Sequence, residues 1–341
     1  MKIRAVTLFS EGDKDLTLLP QLDAAIQEAS KELGLEVLTK RVTFPYIDEK
    51  RMDVNSIDSM LNKMGYAYSA LAVKGLIEPS IFIKLMTSTK SYGSILIDEA
   101  NKAQLITELL YRMEPSVSRR FAALIGSELE TPYYPASANI RGGTGIALAI
   151  LYPSDLIGAR GLNDIRNRLE TLLKKAEEFG RLVADLVGVE YRGLDASLSP
   201  WGWESTVDVL EQFGPRIGSP GFMKIIWDIN RELTALPVKK LGFNEVMLPL
   251  AEDERLKERA RAGLITFKDL VAYSSVCVAG VDMVPIPMTN IDNVTKVVED
   301  LYAISQVKKR PIGLRLIPSV KETGDIEIEG FGATPILRIN Q

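Results

Sequence analysis

KIRAVTLF, residues 2–9, opens the stretch that decides the fold. Its run of apolar and β-branched residues predicts a strand. DLTLLPQLDAAIQEASKELG at 15–34 has the apolar spacing of a helix, and LEVLTKRVTF at 35–44 predicts a second strand. Two strands joined by a helix are typical of a mainly parallel sheet covered by helices. The chain is therefore expected to belong to the α/β class.

The rest of the chain continues this alternation of apolar runs and helical patterns. We predict a helical stretch at 55–89 in two pieces, and longer helices at 102–113 and 155–187. Further strands are predicted at 94–98, 120–126, 145–152, 243–250, 281–287 and 313–318, and a strand followed by a loop at 191–200. No internal repeat, low-complexity segment or linker interrupts the pattern. We therefore expect one domain that spans residues 1–341.

Composition narrows the range of partners and compartments. The 341 residues are 46% hydrophobic and carry a net charge of −4, without the basic footprint of a nucleic-acid-binding protein. An acidic stretch follows the N-terminal strand too soon for a signal peptide, and no apolar run reaches the length of a membrane span. We expect a cytoplasmic homo-oligomer that binds a small molecule and contacts neither nucleic acid nor membrane.

The most informative count is zero, because the chain has no histidine. This absence excludes Ser-His-Asp and Cys-His catalysis, and it excludes histidine-based zinc or iron sites. Catalysis by this chain must therefore use carboxylates, Lys, Arg, Tyr, Ser, the single thiol, or a borrowed cofactor or metal.

The single cysteine, Cys277, lies in YSSVCVAGVDMVPIP at 273–287. Thr266 and Asp269 have the spacing of a capping box, which predicts a helix that begins at Thr266 and ends near Gly280. Cys277 would then lie in the last turn, where the helix dipole disfavours a thiolate. This position favours packing over reactivity, although a neighbouring Lys or Arg would reverse the argument.

Single charged residues interrupt several of the predicted strands. A charge buried in a helix-covered sheet is expensive, so these residues should be paired or face a wet cavity. Asp195 and Asp282 are candidates for a general base or for ligands of a hard cation such as Mg²⁺, and Arg315 is a candidate anchor for an anionic substrate. A structural ion pair between Asp282 and Arg315 is the alternative. The interrupting residues are Arg4, Asp195, Glu245, Asp282 and Arg315.

A second candidate site is the glycine-rich stretch NIRGGTG at 139–145. Its glycines permit close backbone approach, so the loop could present N–H groups to an anion. The loop precedes a strand, however, whereas dinucleotide and P-loop motifs follow one, and a plain turn is the alternative. The candidate substrate-binding residues are Asn139, Arg141, Gly142 and Gly143, together with Ser197 in the strand-and-loop stretch after Asp195.

Several of these stretches, in order along the chain, resemble the family catalogued as domain of unknown function 711. The resemblance covers roughly residues 120–325. It rests on RFAALIG, TPYYPASA, GGTGIALAI, GLDASLSP, NEVMLPLAEDERL, LVAYSSVCVAGVDMVPIP and RPIGLRLIPSVKETGD.

The resemblance implies a single large barrel like that of the pyruvate formate-lyase superfamily, with about ten strands in two half-sheets and helices outside. It does not imply radical chemistry, because EGFGATPILRINQ at the C-terminal end lacks the glycyl radical signature. It places Cys277 and Asp282 in a Cys-x-x-Gly-x-Asp segment like that of the family. This raises the expectation that both line a site, with Cys277 as a positional relic of the cysteine inside the radical-enzyme barrel.

The sequence therefore leaves three functions open. The first is an enzyme that acts on a small polar or anionic substrate in a barrel lumen, with Asp282 and Asp195 as acid/base or metal-binding groups, Arg315 as an anchor and Cys277 as an accessory. The second is a non-catalytic ligand-binding protein on the same scaffold. The third is a structural or assembly protein.

Overall fold

The computed structural model describes residues 1–47 and 54–340. Its main feature is a sheet of eight strands, accompanied by three further pairs of strands. The strands are β1 Lys2–Phe9, β2 Lys40–Thr43, β3 Ala67–Val73, β4 Tyr92–Ile97, β5 Phe121–Ile125, β6 Gly145–Leu151, β7 Glu190–Asp195, β8 Met247–Pro249, β9 Ala279–Asp282, β10 Val284–Pro287, β11 Ile312–Leu314, β12 Leu316–Ser319, β13 Asp325–Ile328 and β14 Gly332–Pro335.

Helices connect most of these strands. The helices are α1 Leu19–Leu33, α2 Val54–Lys63, α3 Pro79–Ser88, α4 Ala103–Leu110, α5 Pro115–Ser118, α6 Pro153–Leu156, α7 Leu162–Val187, α8 Thr206–Glu211, α9 Phe222–Ala235, α10 Glu254–Arg261, α11 Phe267–Tyr273 and α12 Val294–Lys308. Four 3-10 helices lie at Asp13–Leu18, Ala100–Lys102, Leu250–Glu252 and Met288–Asn293. Within the described residues, each helix is too short or too polar to span a membrane.

The eight-stranded sheet has the order β11-β5-β4-β3-β2-β1-β6-β7. The five strands from β1 to β5 are parallel to one another, as the strand-helix-strand pattern predicts. Two antiparallel pairings flank this block, β1 with β6 and β5 with β11. Strands from distant parts of the chain therefore lie side by side, and the mixed α/β class is confirmed.

The two faces of the sheet have different compositions. On the outer face, Ile3, Val6 and Leu8 of β1 join one large apolar core with residues of α1 and α7. The inner face carries small residues instead, such as Ala5 of β1 and Ala149 of β6. Small side chains leave room for other parts of the chain to approach the sheet closely.

A loop fills part of this room. Residues 130–139, which we call the inner segment, are buried except for the partly exposed Tyr134 and pack against the inner face. Ser137 is held there by hydrogen bonds, since its Oγ lies 2.8 Å from Thr43 Oγ1 and its carbonyl accepts from Ser69 Oγ at 2.8 Å. The Asn139 N–H donates to the Phe44 carbonyl at 2.9 Å. The polar residues of β2 and β3 thus satisfy the backbone of a buried loop.

The three strand pairs face the inner side of the sheet, but strand pairing does not close a barrel within residues 1–47 and 54–340. Within the part of the chain that the structure describes, isolated hydrogen bonds join the β8–β9 pair to the sheet edges. Met247 N–H donates to the Leu198 carbonyl at 3.0 Å, beyond the end of β7, and Gly313 N–H of β11 donates to Val278 at 3.0 Å. The predicted barrel of about ten strands, with its likeness to pyruvate formate-lyase, is therefore not confirmed.

Two local predictions were wrong. The stretch at 55–89 is not wholly helical, because AYSALAV forms β3 between α2 and α3. The Thr266–Asp269 capping box is present, but α11 ends at Tyr273, and Gly280 lies inside β9 rather than at a helix end. A Cβ at Gly280 would collide with Ser274 and with the Leu270 carbonyl, so this glycine serves the close approach of strand and helix.

Candidate functional site

A pocket of about 150 Å³ lies between the inner face of the sheet, the inner segment and the facing strand pairs. Its wall combines charged and aromatic side chains with small apolar ones. The charged residues are Arg4, Arg41, Arg119, Arg315, Glu252 and Asp282, and the aromatic ones are Tyr92, Tyr133, Tyr134, Trp201, Phe243 and Phe331.

Arg4 reaches this pocket because of a β-bulge. The register between β1 and β6 shifts between Ile3 and Ala5, so that these two residues lie on opposite faces of the sheet. A bulge re-aims the side chain at its position. Arg4 therefore turns to the inner face, where Nη1 donates to the Pro200 carbonyl at 2.6 Å and Nη2 contacts Glu252 Oε2 at 2.5 Å.

Four residues form a continuous chain of ion pairs across the pocket. Glu252, at the end of a 3-10 helix after β8, binds Arg4 through Oε2 and Arg315 through Oε1 at 2.7 Å. Arg315, between β11 and β12, also holds Asp282 with two hydrogen bonds of 2.6 and 2.8 Å. We call Arg4, Glu252, Arg315 and Asp282 the ion-pair chain. It joins the large sheet to the facing strands.

Burial and charge act in opposite directions within the ion-pair chain. Burial alone would raise the pKa of Glu252, but Arg315 and Arg4 together lower it. Burial raises the pKa of Asp282 against the pull of Arg315, which Asp282 shares with Glu252. Burial alone would lower the pKa of Arg315, and its two carboxylate partners raise it instead. Of the two carboxylates, Glu252 and Asp282, it is thus Asp282 that takes up a proton more readily.

Arg41 of β2 has a different environment, although it is only 8% exposed. Its Nη1 donates to the Pro132 carbonyl at 2.9 Å and its Nε to Thr39 Oγ1 at 3.2 Å. Among the residues that the structure describes, no carboxylate lies within ion-pair distance of Arg41. Burial and the nearby Arg4 lower the pKa of Arg41, as expected for a guanidinium without a counter-ion.

Aromatic rings flank both arginines. The Arg41 guanidinium lies 4.8 Å from the centre of the Tyr134 ring, which itself lies 5.0 Å from the Tyr92 ring. The Arg4 guanidinium lies 4.6 Å from the Trp201 ring and 5.7 Å from the Tyr133 ring. Such faces attract cations and fix the planes of the guanidinium groups. They also make the pocket a low-dielectric site, in which an added anion would interact strongly.

The hairpin β13–β14 contributes one wall of the pocket through Phe331 at its turn. Two contacts tie this turn down. Arg119 forms an ion pair with Glu329, and Lys257 Nζ donates to the Phe331 carbonyl. Glu329 is largely exposed, so its pairing with Arg119 is a surface contact of small energy.

Asp195, predicted as a catalytic or metal-binding residue, does not line the pocket. Its Oδ1 accepts from Ser197 N, Ser197 Oγ and Asn244 N, and its Oδ2 accepts from Phe243 N and Thr131 Oγ1. Burial raises the pKa of Asp195, and these donors oppose that effect. The carboxylate ties β7 to the loop at 242–244, and Ser197, predicted to bind substrate, is one of its donors.

Cys277 also lies outside the pocket, in the large outer core, and is fully buried. Its thiol donates to the Tyr273 carbonyl at 2.9 Å. Burial raises the pKa of this thiol to about 12. Cys277 therefore packs in the outer core. It does not occupy the position inside a barrel that the family resemblance implied. The inner segment, which holds no cysteine, occupies the inner face instead.

The glycine-rich loop at 139–145 is filled by the protein's own charged groups. Gly142 and Gly143 have positive φ values of 71° and 70°, and both carbonyls accept from Arg192. The Gly143 N–H donates to Glu11 at 2.7 Å, and the Ile140 and Arg141 N–H groups donate to Glu130.

Side chains complete this network. Asn139 accepts from Arg192 Nη1 at 2.9 Å, and Arg141 forms an ion pair with Glu130 at 2.8 Å. The candidate substrate-binding residues of this loop thus hold one another and do not line the pocket.

Of the predicted catalytic and substrate-binding residues, Asp282 and Arg315 line the pocket. Arg4, one of the strand charges expected to be paired or to face a cavity, lines it too. In the described part of the chain, no group of three or more Cys, Asp or Glu side chains is arranged to hold a metal ion.

Sequence reasoning missed Arg41. It considered Glu252, with Asp253 and Glu254, as a third candidate site but favoured helix capping for all three. Arg41 lies in the second half of the strand predicted at 35–44 and has no motif around it, whereas Glu252 lies in an acidic run typical of helix capping.

The sequence was compared with known proteins. A family model described as Uncharacterised ACR (DUF711) matches residues 101–327, which confirms the resemblance stated for residues 120–325. A UPF0210 protein of Sulfurisphaera tokodaii is 26% identical over 93% of this chain and 85% of its own. UPF0210 proteins of Methanopyrus kandleri and Streptococcus pneumoniae are 25% and 23% identical, over 99% and 96% of this chain and 77% and 75% of theirs.

Proposed function

Because this chain belongs to the DUF711 family, whose description names no reaction, we propose a function from the geometry of its pocket. The protein binds a small organic anion there and acts on it as an enzyme. One observation carries the proposal, namely that the buried Arg41 guanidinium has no carboxylate partner among the described residues. A buried cation without a counter-ion is costly, and a bound anion would remove that cost.

The remaining groups take distinct roles in this proposal. Arg41 grips the anionic group, as a guanidinium binds carboxylates in a planar, bidentate way. Arg315 and Arg4 hold Glu252 and Asp282 in place. Asp282 exchanges a proton with the bound molecule, because its pKa is raised by burial and it lines the pocket. Asp195 and Cys277 have no part in the reaction.

We also propose that the pocket is the lumen of a barrel-like enclosure. Support comes from the isolated main-chain hydrogen bonds at the sheet edges, to which Arg315 N–H adds a bond of 3.2 Å to the Val281 carbonyl. These bonds bring the β8–β9 pair against both edges of the large sheet.

A non-catalytic ligand-binding protein is the second candidate. It is favoured by the double hydrogen bond between Asp282 and Arg315, which occupies both carboxylate oxygens. It is also favoured by the described pocket lining, which contains neither Cys nor Lys as a nucleophile. In this case the pocket binds the same kind of anion and leaves it unchanged.

Thermal unfolding in the presence of a panel of small anions, at matched ionic strength, tests the binding step. An anion present at about 100 times its Kd raises the free energy of unfolding by about 2.7 kcal/mol, which raises Tm. Arg41→Met should abolish this response. Without ligand it should unfold within about 1 kcal/mol of the wild type, because the lost hydrogen bonds are offset by the removal of an unpaired buried charge.

Arg120→Met is the matched control. The Arg120 guanidinium also donates to backbone carbonyls, those of Ser91 and Met86, but it does not line the pocket. The control should keep the response to anions. If no anion raises the Tm of the wild type, or if Arg41→Met responds as the wild type does, the proposed site is wrong.

Deuterium exchange separates the two candidates. The anion that binds is incubated with the protein in D₂O and followed by nuclear magnetic resonance. An enzyme with Asp282 as its acid/base group incorporates deuterium into the ligand or converts it, and Asp282→Asn loses this activity while the ligand still binds. A ligand that binds and stays unlabelled and unchanged identifies a binding protein.

A further inference from the structure

We propose that the ligand of this pocket is a monocarboxylate whose body is apolar and no larger than about one six-membered ring. This inference rests on the proposed function, because it assumes that Arg41 receives the anionic group. It adds the charge of the ligand, the shape of its anionic group and the size of its body.

The charges of the wall favour a single negative charge on the ligand. Three arginines of the pocket are nearly buried, namely Arg4, Arg41 and Arg315. They face two carboxylates, the buried Glu252 and Asp282, whose side chain is 15% exposed. The fourth, Arg119, is already paired with Glu329. One positive charge is left over in the interior, on Arg41. A monoanion balances it, whereas a dianion would bring a second buried charge without a partner.

The free donors of Arg41 suit a carboxylate. Arg41 uses Nε and one hydrogen of Nη1 for Thr39 and Pro132, which leaves Nη2 and the other Nη1 hydrogen. Two hydrogens of one guanidinium match the two oxygens of a carboxylate. Nη2 has no hydrogen-bond partner among the described residues, and neither has the hydroxyl of Tyr92, a neighbour in the same wall. A phosphate is disfavoured by its second negative charge rather than by a lack of donors.

The rest of the wall and the volume fix the body of the ligand. Apart from the charged groups, Ser199 and Thr39, the wall is mostly aromatic or aliphatic, with Tyr133, Phe243, Met247 and Leu314. Apolar walls bind apolar surface and reject groups that need hydrogen bonds. The volume of about 150 Å³ is that of a cavity that admits one benzene ring. Benzoate is therefore a suitable probe.

Isothermal titration calorimetry tests the inference with four probes at matched ionic strength. These are benzoate, its neutral analogue benzamide, the dianion malonate and inorganic phosphate. Benzoate should bind with a Kd in the millimolar range or below, and each of the other three should bind at least tenfold more weakly. Arg41→Met should weaken benzoate at least tenfold, Arg41→Lys should fall between, and Arg120→Met should match the wild type.

The outcomes separate this inference from the function on which it rests. If malonate or phosphate binds more tightly than benzoate, and Arg41→Met removes that binding, the anion pocket stands and the monocarboxylate inference is overturned. If benzamide binds as well as benzoate, charge recognition by Arg41 fails and both ideas fall. Both also fall if none of the probes binds to the wild-type protein while circular dichroism shows it folded.

Discussion

Asp195→Asn should destabilise the protein by about 3 to 5 kcal/mol. The carboxylate accepts five hydrogen bonds, three of them from the backbone N–H groups of Ser197, Phe243 and Asn244. An asparagine keeps one carbonyl oxygen, best placed where Oδ1 now accepts three bonds. Its NH₂ group then faces the Phe243 N–H, which loses its acceptor. A lost bond to a charged group costs about 1.5–3 kcal/mol, and weakening of the three bonds that remain adds to it.

Urea unfolding, followed by circular dichroism, measures this effect. With a slope of about 3 kcal/mol/M, the midpoint should fall by at least about 1 M. Asp228→Asn is the matched control, because Asp228 is also buried but pairs with the exposed Lys224. It should cost less than about 1 kcal/mol. If Asp195→Asn unfolds at the wild-type midpoint, the five bonds do not stabilise the fold, and a catalytic role for Asp195 returns.

Three further changes test other parts of the structure. Burial raises the pKa of Asp253 from 3.8 to about 6, so the folded protein binds this proton more tightly than the unfolded chain does. The resulting stabilisation is present below about pH 4 and is lost as the pH rises through 6. Asp253→Asn should therefore remove a fall of about 3 kcal/mol in the free energy of unfolding between pH 4 and 7, as measured by urea titrations at each pH, and an unchanged pH profile would contradict the assignment. Cys277 should react with a thiol reagent at pH 8 only as the protein unfolds, because it is fully buried and burial raises its pKa to about 12. Rapid labelling of the native protein would instead show that the thiol is accessible. Gly242→Ala should lower Tm, because φ is +104° there and the new Cβ would collide with the Asp195 carboxylate. The control Gly263→Ala, at φ +67° with open space around it, should lower Tm less. Equal decreases in Tm would mean that backbone strain alone determines the effect.

The parts of the fold that were predicted correctly have strong local signals. β1 and β6 are long apolar runs, and α7 keeps its buried residues at intervals of three and four along 26 residues. The strand β3 was missed because AYSALAV is short and follows a helical pattern. A short apolar run of this kind does not distinguish strand from helix.

The candidate site was predictable only in part, and for a physical reason. A charge buried in a strand needs a partner or a cavity, and this rule led correctly to the contact between Asp282 and Arg315. The rule does not say which partner a charge finds. Arg4 and Glu252 meet across 248 positions of sequence, and the meeting depends on a bulge and on strand order that no local pattern encodes.

The burial of the inner segment could not be predicted from its composition. TPYYPASA has the composition of a surface loop, yet it is buried against the sheet. Its burial depends on Thr43 and Ser69, polar residues of two strands that are more than 60 positions away in sequence from Ser137. Composition reports the absence of regular structure in such a segment, and tertiary hydrogen bonds decide whether it lies inside or outside.

The ion-pair chain also bears on the order in which the protein assembles during synthesis. Arg4 leaves the ribosome early, whereas Glu252 and Arg315 follow 248 and 311 residues later. Translation adds about 5–20 residues per second, so roughly 15–60 s pass between the synthesis of Arg4 and that of the other members of the ion-pair chain. If the inner face were buried during that interval, the Arg4 guanidinium would be buried without a carboxylate partner. We therefore expect the inner face of the nascent sheet to stay exposed to water until Glu252 has been synthesised. Closure of the pocket is thus a late event, governed by translation rather than by the sheet itself.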